Sequence, residues 1–470
     1  MNNNLKTYLL ALMLLQLGAC KVTKDISATN LPVPETYRNA TSADTSNIAT
    51  IQWKDFFTDT NLQKIIDTAV IKNYDMQVTL KNIEAAQLIV KQSKLGYWPD
   101  ARLQAGATIS RPSDNSLNGL SLSQFLGKSY VEDYSISASL SWEADIWGKI
   151  KNQKAKALAE YLQTTEARKM IQTNLVANIA KGYYNLLMLD AQVAIANKNL
   201  LLNDSTLRII KLQYQAGQVT ALAVQQAEAQ RLVAAQLIPS LQQSIAIQEN
   251  ALSVLTGLAP AAIARQQTTD HVIFPGDLST GIPAALLGNR PDVRSYELAL
   301  NIANAKTGIT KANMYPKLGI TASGGINSFK LSNWFNIPAS LFAVAAGSVA
   351  QPLFERKQLK TQYEIAKIER ERTVIQFRQS VLTAVGEVSD ALVKTEKIKE
   401  QQTVAGSRVQ TLQQAVSNAD LLFRNGMANY LEVITAQSNV LQGELELALL
   451  QRESINAVIE LYKALGGGWK

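Results

Sequence analysis

Gly96-Tyr97-Trp98-Pro99 and Asn313-Met314-Tyr315-Pro316 are the two stretches that decide the fold of this 470-residue chain. Each one ends a helical pattern with an aromatic residue and a proline, and a pair of alternating strand patterns follows it. Each strand pair leads into a long helical hairpin with a glycine at its turn, Gly217 in the first copy and Gly426 in the second. This order predicts a tandem duplication of one unit that combines two strands with very long helices.

The spacing between the two copies is nearly constant. Pro99 is aligned with Pro316 at an offset of 217 in the numbering, and the two turn glycines are aligned at an offset of 209. The motif after the second strand, Asp145-Ile146-Trp147-Gly148, is aligned with Pro352-Leu353-Phe354-Glu355 at an offset of 207. The drop in the offset falls between the two strands of each pair, where a loop can shorten freely.

The N-terminus has the pattern of an export signal, which we predict over residues 1–19. Lys6 provides a basic start, an apolar run follows, and Leu17-Gly18-Ala19-Cys20 closes it. The run is too short to span a hydrocarbon layer of ~30 Å, so a transmembrane anchor is disfavoured, whereas ordinary signal cleavage stays an alternative. The closing motif resembles the lipobox of bacterial lipoproteins, which predicts lipidation of Cys20 and tethering to a membrane surface. Because Cys20 is the only cysteine, no disulfide is expected.

Composition and motifs argue against several other functions. The net charge of +8 invites a nucleic-acid partner, but lysines and arginines alternate with glutamates, as over residues 364–372, instead of clustering with aromatic residues. The single histidine, His271, has no neighbouring metal ligands and no sign of a catalytic triad. Gly466-Gly467-Gly468 follows a helix instead of opening one as a phosphate-binding loop would. We therefore predict no enzyme activity, no cofactor, no metal and no nucleic-acid binding.

Two segments predict helices of unusual length. From Gly148 to about Tyr214 and from Glu355 to about Phe423 there is almost no proline and little glycine, and apolar residues recur every three or four positions. A helix of ~65 residues would be ~100 Å long, which exceeds the size of a compact domain. A cytosolic coiled-coil scaffold would also have such helices, but the export signal and the strands oppose that interpretation.

Four runs with a period of two predict strands at about 98–112, 130–146, 316–328 and 340–354. In the second run Ile136, Ala138 and Leu140 alternate with serines, while the fourth run alternates poorly. Runs of about ten residues with this period are typical of an outer-membrane barrel, although a half-buried sheet of a soluble domain alternates in the same way. Because four strands cannot close a barrel in lipid, several chains would have to pool their strands.

The order of these features, together with the stretch Trp53-Lys54-Asp55-Phe56-Phe57, resembles the outer-membrane factors of tripartite efflux pumps, the TolC-like channels. The lipobox makes the chain most similar to the lipoprotein branch that serves resistance–nodulation–division pumps. The resemblance implies a mixed α and β fold with an internal tandem duplication, assembled as a homotrimer. Each protomer would give four strands to one twelve-stranded outer-membrane β-barrel, which continues as a long periplasmic α-helical barrel.

The resemblance also implies how the chain is divided. After the signal peptide of residues 1–19 it gives, in order, an N-terminal equatorial segment over 20–60, a first repeat over 61–257, an equatorial connector over 258–285, a second repeat over 286–462 and a C-terminal tail over 463–470. Arg290-Pro291-Asp292-Val293-Arg294, at an offset of 217 from residues 73–77, resembles the family's start of the second repeat.

In the family, the glycine turns form the periplasmic ends of the hairpins, where an adaptor protein docks. This carries over to the following residues: Ala216, Gly217 and Gln218 in the first hairpin, and Asn425, Gly426 and Met427 in the second. The simpler alternative is that both glycines only allow the backbone to turn. The family also closes its channel near this end, which assigns a periplasmic gate to Glu432, Phe423 and Arg424. Thr435 and residues 222–224 carry no carboxylate, so a double acidic ring is not expected here.

The resemblance therefore predicts an outer-membrane channel that passively conducts substrates from an inner-membrane pump and a periplasmic adaptor protein to the exterior. Its partners would be two further copies of itself, the adaptor, the pump and outer-membrane lipid. Its place would be the outer membrane of a Gram-negative bacterium, held by a lipid anchor and extending into the periplasm. The alternatives are a lipid-anchored periplasmic coiled-coil scaffold without a pore and a type I secretion duct.

Overall fold

The computed structural model describes residues 25–27, 34–38, 47–265, 272, 274 and 279–470. The predicted signal peptide of residues 1–19, Cys20 and His271 lie outside these ranges. The chain forms two compact units. The first contains residues 85–162 and 298–375, and the second contains residues 163–297 and 376–470 with the described residues between 28 and 84.

The described ranges contain ten α-helices, in this order: α1 Trp53–Phe56, α2 Thr60–Lys72, α3 Tyr74–Lys94, α4 Leu117–Leu126, α5 Lys149–Gln215, α6 Ala221–Leu255, α7 Leu286–Asn289, α8 Pro291–Ala312, α9 Gln358–Arg424 and α10 Tyr430–Ala464. The same ranges contain four β-strands: β1 Asp100–Ser110, β2 Val131–Glu143, β3 Lys317–Ser328 and β4 Leu341–Ala350. The predicted combination of long helices with four strands is confirmed.

The helices of the two hairpins are matched in length. The first helix of each, α5 and α9, has 67 residues, and the second, α6 and α10, has 35 residues. Neither α5 nor α9 contains proline, which would remove a backbone donor and break so long a helix. Among the helices that the structure describes, none has a long enough apolar run to cross a membrane.

The first unit contains one antiparallel sheet with the strand order β1-β2-β3-β4. Apolar residues oppose each other on one face, where Ile136 is paired with both Ala105 and Ile326. Polar residues oppose each other on the other face, where Ser139 is paired with Ser323. Over β1, β2 and β3 the period of two therefore gives one apolar and one polar face, whereas β4 places Phe342 and Val344 on the otherwise polar face. In the described chain β1 and β4 each have one edge without a partner strand.

The strand registers refine the alignment of the two copies. Asp100 is paired with Ser141, and Lys317 is paired with Ala350. Lys317 is aligned with Asp100 at an offset of 217, and Ala350 is aligned with Ser141 at an offset of 209. The second strand of each pair therefore already follows the offset of the hairpins. The offset of 207 expected for Asp145 is wrong by two.

Helix α4, between β1 and β2, was not predicted from the sequence. Its N-terminus is capped by Ser116, whose hydroxyl accepts a hydrogen bond from the backbone N–H of Gly119 at 3.1 Å. Gly127 follows its last residue with a φ of 60°, as expected after a helix end. Both signals are present in the sequence, but they enclose only 10 residues.

The second unit is built around buried aromatic side chains. Phe56 is stacked on Tyr462 with ring centroids 4.0 Å apart, and Phe57 meets Phe56 edge-on at 5.0 Å. The buried Tyr183 donates its hydroxyl hydrogen to Asp59 at 2.8 Å, and the same carboxylate caps the N-terminus of α2. This core joins the segment around residue 56 to α5 and α10.

Candidate functional site

Both hairpin turns are formed by a glycine in the left-handed region. Gly217 has a φ of 75° and Gly426 a φ of 69°. In the first turn the N–H of Gln218 donates to the carbonyl of Gln213 at 2.8 Å, and the second turn repeats this bond at 2.9 Å. A Cβ at either glycine would meet no atom within 4 Å, so the backbone conformation and not a lack of space requires glycine there.

The six residues predicted to contact an adaptor are all exposed in the described chain. They are Ala216, Gly217, Gln218, Asn425, Gly426 and Met427. The Asn425 amide donates to the carbonyl of Leu421 at 2.7 Å and so belongs to the turn itself. The Met427 side chain has no such partner among the described residues, and an exposed, flexible thioether is adaptable to a partner's surface.

The residues assigned to a gate occupy different environments. Phe423 is only 5% exposed and lies in a core cluster with Leu207, Ala223 and Val433, so it packs the two hairpins together. Arg424 is exposed, and its guanidinium is paired with the carboxylate of Asp420 at 2.9 Å. Of the three residues assigned to the gate, Arg424 and Glu432 are charged and exposed in the single chain.

Glu432 projects from the first turn of α10 and is exposed. The Asn429 side chain caps this helix by accepting hydrogen bonds from the N–H groups of Leu431 at 2.9 Å and Glu432 at 3.1 Å. A carboxylate in the first turn of a helix is stabilised by the helix dipole. The pattern Asn-x-x-Glu, which resembles a capping box, is the sequence signal that could have located this cap.

A buried polar layer between the hairpins was not predicted from the sequence. The Asn199 amide donates to the carbonyl of Gln437 at 3.1 Å, and the Gln437 amide donates to the hydroxyl of Thr206 at 2.8 Å. Asn203 donates to the side-chain oxygen of Asn199 at 2.7 Å. Buried polar residues in an apolar helical seam fix the register of the helices. This layer therefore fixes α5 against α10, and polar residues at seam positions are the signal that could have found it.

The bases of the two hairpins are closed in the same way. In the first repeat the Asn73 amide donates to the carbonyl of Leu255, the last residue of α6, at 2.9 Å. In the second repeat the Arg290 guanidinium donates to the carbonyl of Ala464, the last residue of α10, at 3.0 Å. The two donors are aligned at the offset of 217 and the two acceptors at the offset of 209. The duplication therefore extends to individual hydrogen bonds.

A glycine with positive φ follows each of these helix ends. Gly257 has a φ of 69° and Gly466 a φ of 93°. A Cβ at Gly257 would lie 2.4 Å from the carbonyl oxygen of Lys72, and one at Gly466 would lie 2.6 Å from that of Asn289. Both positions therefore require glycine for the close approach of two backbones as well as for the conformation.

Arg290 also forms ion pairs at the base of the second hairpin, which we call the ionic joint. Its nearly buried guanidinium lies 2.6 Å from the carboxylates of both Asp292 and Glu387. Burial acts to raise the pKa of Asp292, but the hydrogen bonds and the positive charge of Arg290, together with backbone hydrogen bonds, outweigh it and hold that pKa below its usual value. A cavity of about 500 Å³ adjoins the joint and is lined by further charged residues of α5, α9 and α10. Over the described ranges, no group of three His, Cys, Asp or Glu side chains is placed to hold a metal ion.

Comparison with known families gives one match that covers most of the chain. The model of a family described as "Outer membrane efflux protein" matches residues 65–258 and 282–467. The two matched segments contain both strand pairs and both hairpins.

Individual proteins agree with this match. The toluene efflux pump outer membrane protein TtgF of Pseudomonas putida is 29% identical over 423 residues, which cover 90% of this chain and 86% of that protein. The cation efflux system protein CusC of Escherichia coli is 26% identical over 459 residues, or 97% of each chain.

Solved structures have the same fold. A crystal structure of CusC has a TM-score of 0.84 and 25% identity, and the match covers 96% of this chain and 100% of that one. The open state of the MtrE outer membrane channel of Neisseria gonorrhoeae has a TM-score of 0.85 at 24% identity, with coverage of 96% and 99%.

Proposed function

This chain belongs to the outer membrane efflux protein family, and from that premise we propose that three copies assemble into the exit channel of a tripartite efflux pump. The family resemblance predicted from the sequence is confirmed, and with it the mixed fold and the role of an outer-membrane efflux channel. The channel would conduct passively and perform no chemistry on what passes through it. Selection and energy would come from an inner-membrane pump, and a periplasmic adaptor would connect the two.

The four-stranded sheet with two open edges is the observation that carries this proposal. Unpaired backbone groups at a sheet edge are not tolerated in lipid, so the edges must be covered by other strands. Two copies would provide eight strands, and a barrel of about eight strands is filled by its own side chains. Three copies would provide twelve strands, which is enough to enclose an open lumen.

The hairpin turns are the proposed docking points for the adaptor. Gly217 and Gly426 shape two exposed ends per copy, and Met427 offers an apolar side chain beside the second. With three copies, six such ends would be available to a ring of adaptor proteins. Phe423 and the polar layer around Gln437 would hold each pair of hairpins in register behind these ends.

Planar-bilayer recording of the purified protein tests the channel directly. We expect discrete conductance steps, and we expect chemical cross-linking of the same preparation to stop at the trimer. A detergent-stable monomer that conducts ions would contradict the shared barrel. A preparation that neither inserts nor conducts would favour the periplasmic scaffold, and co-purification of a type I secretion transporter would favour the secretion duct.

Glu432 is proposed to form a three-fold ring of carboxylates at the periplasmic mouth, next to Arg424. Its exposure and its position at the capped start of α10 support this role. Carboxylates brought together at a constriction attract cations and repel anions. Phe423 would support the ring by packing, because its side chain is buried between the hairpins.

Replacing Glu432 with glutamine should lower the preference of the channel for cations and weaken its block by divalent cations added from the periplasmic side. The substitution removes the charge and keeps the size, so assembly should be unchanged. The measurement is the cation-to-anion permeability ratio in planar bilayers at low salt, where screening is least. Glu371→Gln is the control, because it alters an exposed acid on a different helix, α9. Equal ratios in the wild type and Glu432→Gln would place this residue outside the conduction path.

Cys20 is proposed to carry the lipid anchor. Metabolic labelling with a fatty-acid analogue should mark the wild-type protein and leave Cys20→Ser unmarked, because no other cysteine is available. The variant should still fold and assemble, since the anchor tethers the chain and does not build its core. Label that persists in Cys20→Ser would refute the lipoprotein assignment.

A further inference from the structure

The hydrogen bonds at the helix-side end of the sheet repeat from one strand pair to the other. In the first pair the Trp142 indole donates to the carbonyl of Tyr97 at 2.9 Å. In the second pair the Gln351 amide donates to the carbonyl of Met314 at 3.0 Å. The two acceptors are aligned at the offset of 217 and the two donors at the offset of 209, as in the strand registers. Equivalent positions of the two repeats can therefore be identified here residue by residue.

At the middle of the sheet, where β2 meets β3, the two repeats contact each other closely. The Trp147 ring is stacked on the Tyr315 ring with centroids 4.7 Å apart, and the Trp147 indole donates to the carbonyl of Pro316 at 2.7 Å. Just before this contact, the N–H of Ala144 donates to the carbonyl of Leu318 at 3.0 Å and extends the strand ladder. An aromatic stack and a hydrogen bond thus seal the β2–β3 seam beyond the last strand residues.

Among the residues that the structure describes, the equivalent residues at the two outer edges have no such contact in the single chain. The offset of 217 makes Trp98 and Pro99 the equivalents of Tyr315 and Pro316, and Trp98 is 72% exposed. The offset of 209 makes Arg356 the equivalent of Trp147, and Arg356 is also exposed. Beside it, Leu353 is 92% and Phe354 83% exposed.

The proposed shared barrel already requires β4 of one copy to pair with β1 of the next; we propose in addition that this joint has the register of the β2–β3 seam and that Arg356 of the first copy seals it on the partner's Trp98. The proposal rests on the proposed function, because it requires that copies pool their strands. It goes further in fixing which residues meet. The partner is a second copy of this chain, since the two outer edges are the two halves of a contact that the chain already makes once internally.

The register follows from the two offsets. Each residue pair of the β2–β3 seam predicts one pair between copies. Adding 209 to the number of the β2 residue gives the β4 residue, and subtracting 217 from the number of the β3 residue gives the β1 residue of the partner. Ala138 with Gly324 becomes Gly347 with the partner's Ala107, and Leu140 with Ala322 becomes Val349 with the partner's Ala105. The apolar face of β4 then continues into the apolar face of β1, because Gly347 and Val349 share the face on which Ala105 and Ala107 lie. A shift by one residue would place apolar and polar faces side by side.

The chemistry of Arg356 suits the position that Trp147 has in the first repeat. A guanidinium is planar and can lie flat on an indole ring, where the ring's negative face attracts its charge. Its N–H groups can donate to the carbonyl of the partner's Pro99, as the Trp147 indole donates to Pro316. Leu353 and Phe354 would be covered by the same contact, which would remove two large apolar side chains from water.

The backbone at this point is already held in an uncommon conformation. Arg356 has a φ of 49° and Lys357 a φ of 64°. In the first repeat the position of Lys357 is occupied by Gly148, which has a φ of 71° and adopts it without strain. Two consecutive non-glycine residues in this region cost free energy and persist where the surroundings compensate for it. A contact with the neighbouring copy would provide that compensation.

Cysteine cross-linking of the full-length protein tests the register. In the variant Ala105→Cys/Val349→Cys the two thiols of one chain are separated by at least three strand spacings, ~14 Å, which exceeds the reach of a disulfide of ~7 Å between Cα atoms. A disulfide can therefore form only between copies. We expect oxidation to link this variant into dimers and trimers about ten-fold more completely than Ala105→Cys/Gly347→Cys, a control slipped by two residues.

Arg356 is tested by the heat stability of the assembled trimer. Arg356→Ala should dissociate into monomers at a lower temperature than the wild type, whereas Lys357→Ala, the matched basic neighbour, should not. Arg356→Trp, which installs the residue of the first repeat, should restore the stability. Arg356→Ala with unchanged dissociation, or the slipped cysteine pair linking as well as the in-register pair, would overturn the inference. If the protein forms conducting trimers in which neither cysteine pair links, the inferred register is wrong and the proposed function stands. If the protein forms no trimers and does not conduct, both the inference and the proposed function are refuted.

Discussion

Arg290→Ala is expected to lower the free energy of unfolding by about 3–5 kcal/mol, because removing one member of a buried ionic cluster leaves its partners uncompensated. The variant loses the guanidinium that lies 2.6 Å from both Asp292 and Glu387 and that donates to the carbonyl at the end of α10. Denaturant unfolding of the detergent-solubilised protein, followed by circular dichroism, measures the effect.

Two controls make this result interpretable. Arg294→Ala removes a nearby arginine whose ion pair with Glu297 is on the surface, and such pairs contribute about 0–1 kcal/mol. Asn73→Ala removes the equivalent donor of the first repeat and should cost about 1–3 kcal/mol, the usual penalty for one buried hydrogen bond left unmade. If Arg290→Ala were no more destabilising than Arg294→Ala, the ionic joint would not hold the base of the second hairpin.

Gly325→Ala is expected to abolish formation of the barrel. A Cβ at this position would lie 2.0 Å from the carbonyl oxygen of Ile136 and 2.7 Å from the Cα of Ser137, both on the paired strand. Because backbone atoms cannot rotate away as a side chain does, β2 and β3 would have to separate at the centre of the sheet. Overpacking of a protein core typically costs about 1–3 kcal/mol, and broken strand pairing in lipid adds to this cost.

The yield of heat-modifiable trimer in outer-membrane fractions measures the effect of Gly325→Ala. Gly106→Ala is the matched control, because a Cβ there would meet its nearest atom, the hydroxyl of Ser135, at an ordinary 3.7 Å. We expect a wild-type yield for Gly106→Ala and almost none for Gly325→Ala. Wild-type amounts of trimer in Gly325→Ala would show that the β2–β3 pairing differs from the one described.

The sequence was sufficient for features that depend on local periodicity. Serines alternating with Ile136, Ala138 and Leu140 predicted a strand, and the near absence of proline over two long segments predicted α5 and α9. The turn glycines were predicted for the same reason, because positive φ is a requirement of one residue and its nearest neighbours. Helix α4 carried similar signals, a capping serine and a following glycine, but over too few residues to stand out.

Features that depend on distant residues could not be predicted in this way. Arg290 and Glu387 are far apart along the chain, and only the folded chain brings the segment before α8 next to α9. The aromatic residues Trp147 and Phe354 look equivalent in sequence, yet the offset of 209 from the strand registers, extended to this position, matches Trp147 with Arg356. Phe423 was assigned to the gate from its place beside the turn, and its burial in the packing between the hairpins was not predicted.

The offset of 209 pairs Glu432 with Ala223, and these two positions have opposite environments: Ala223 is fully buried and Glu432 is exposed. Near the turns the buried positions of α6 and α10 match at an offset of 210 instead, as Ala223 does with Val433 and Ala227 with Gln437, and one helical position corresponds to a rotation of about 100°. For protein engineering, a substitution in one half of the sheet can be transplanted to the other half by adding 217 or 209 to its number. At the hairpin ends the same rule fails. A chimaera built from two first repeats would keep a closable sheet and would lack the carboxylate of Glu432, since the aligned residue is Ala223.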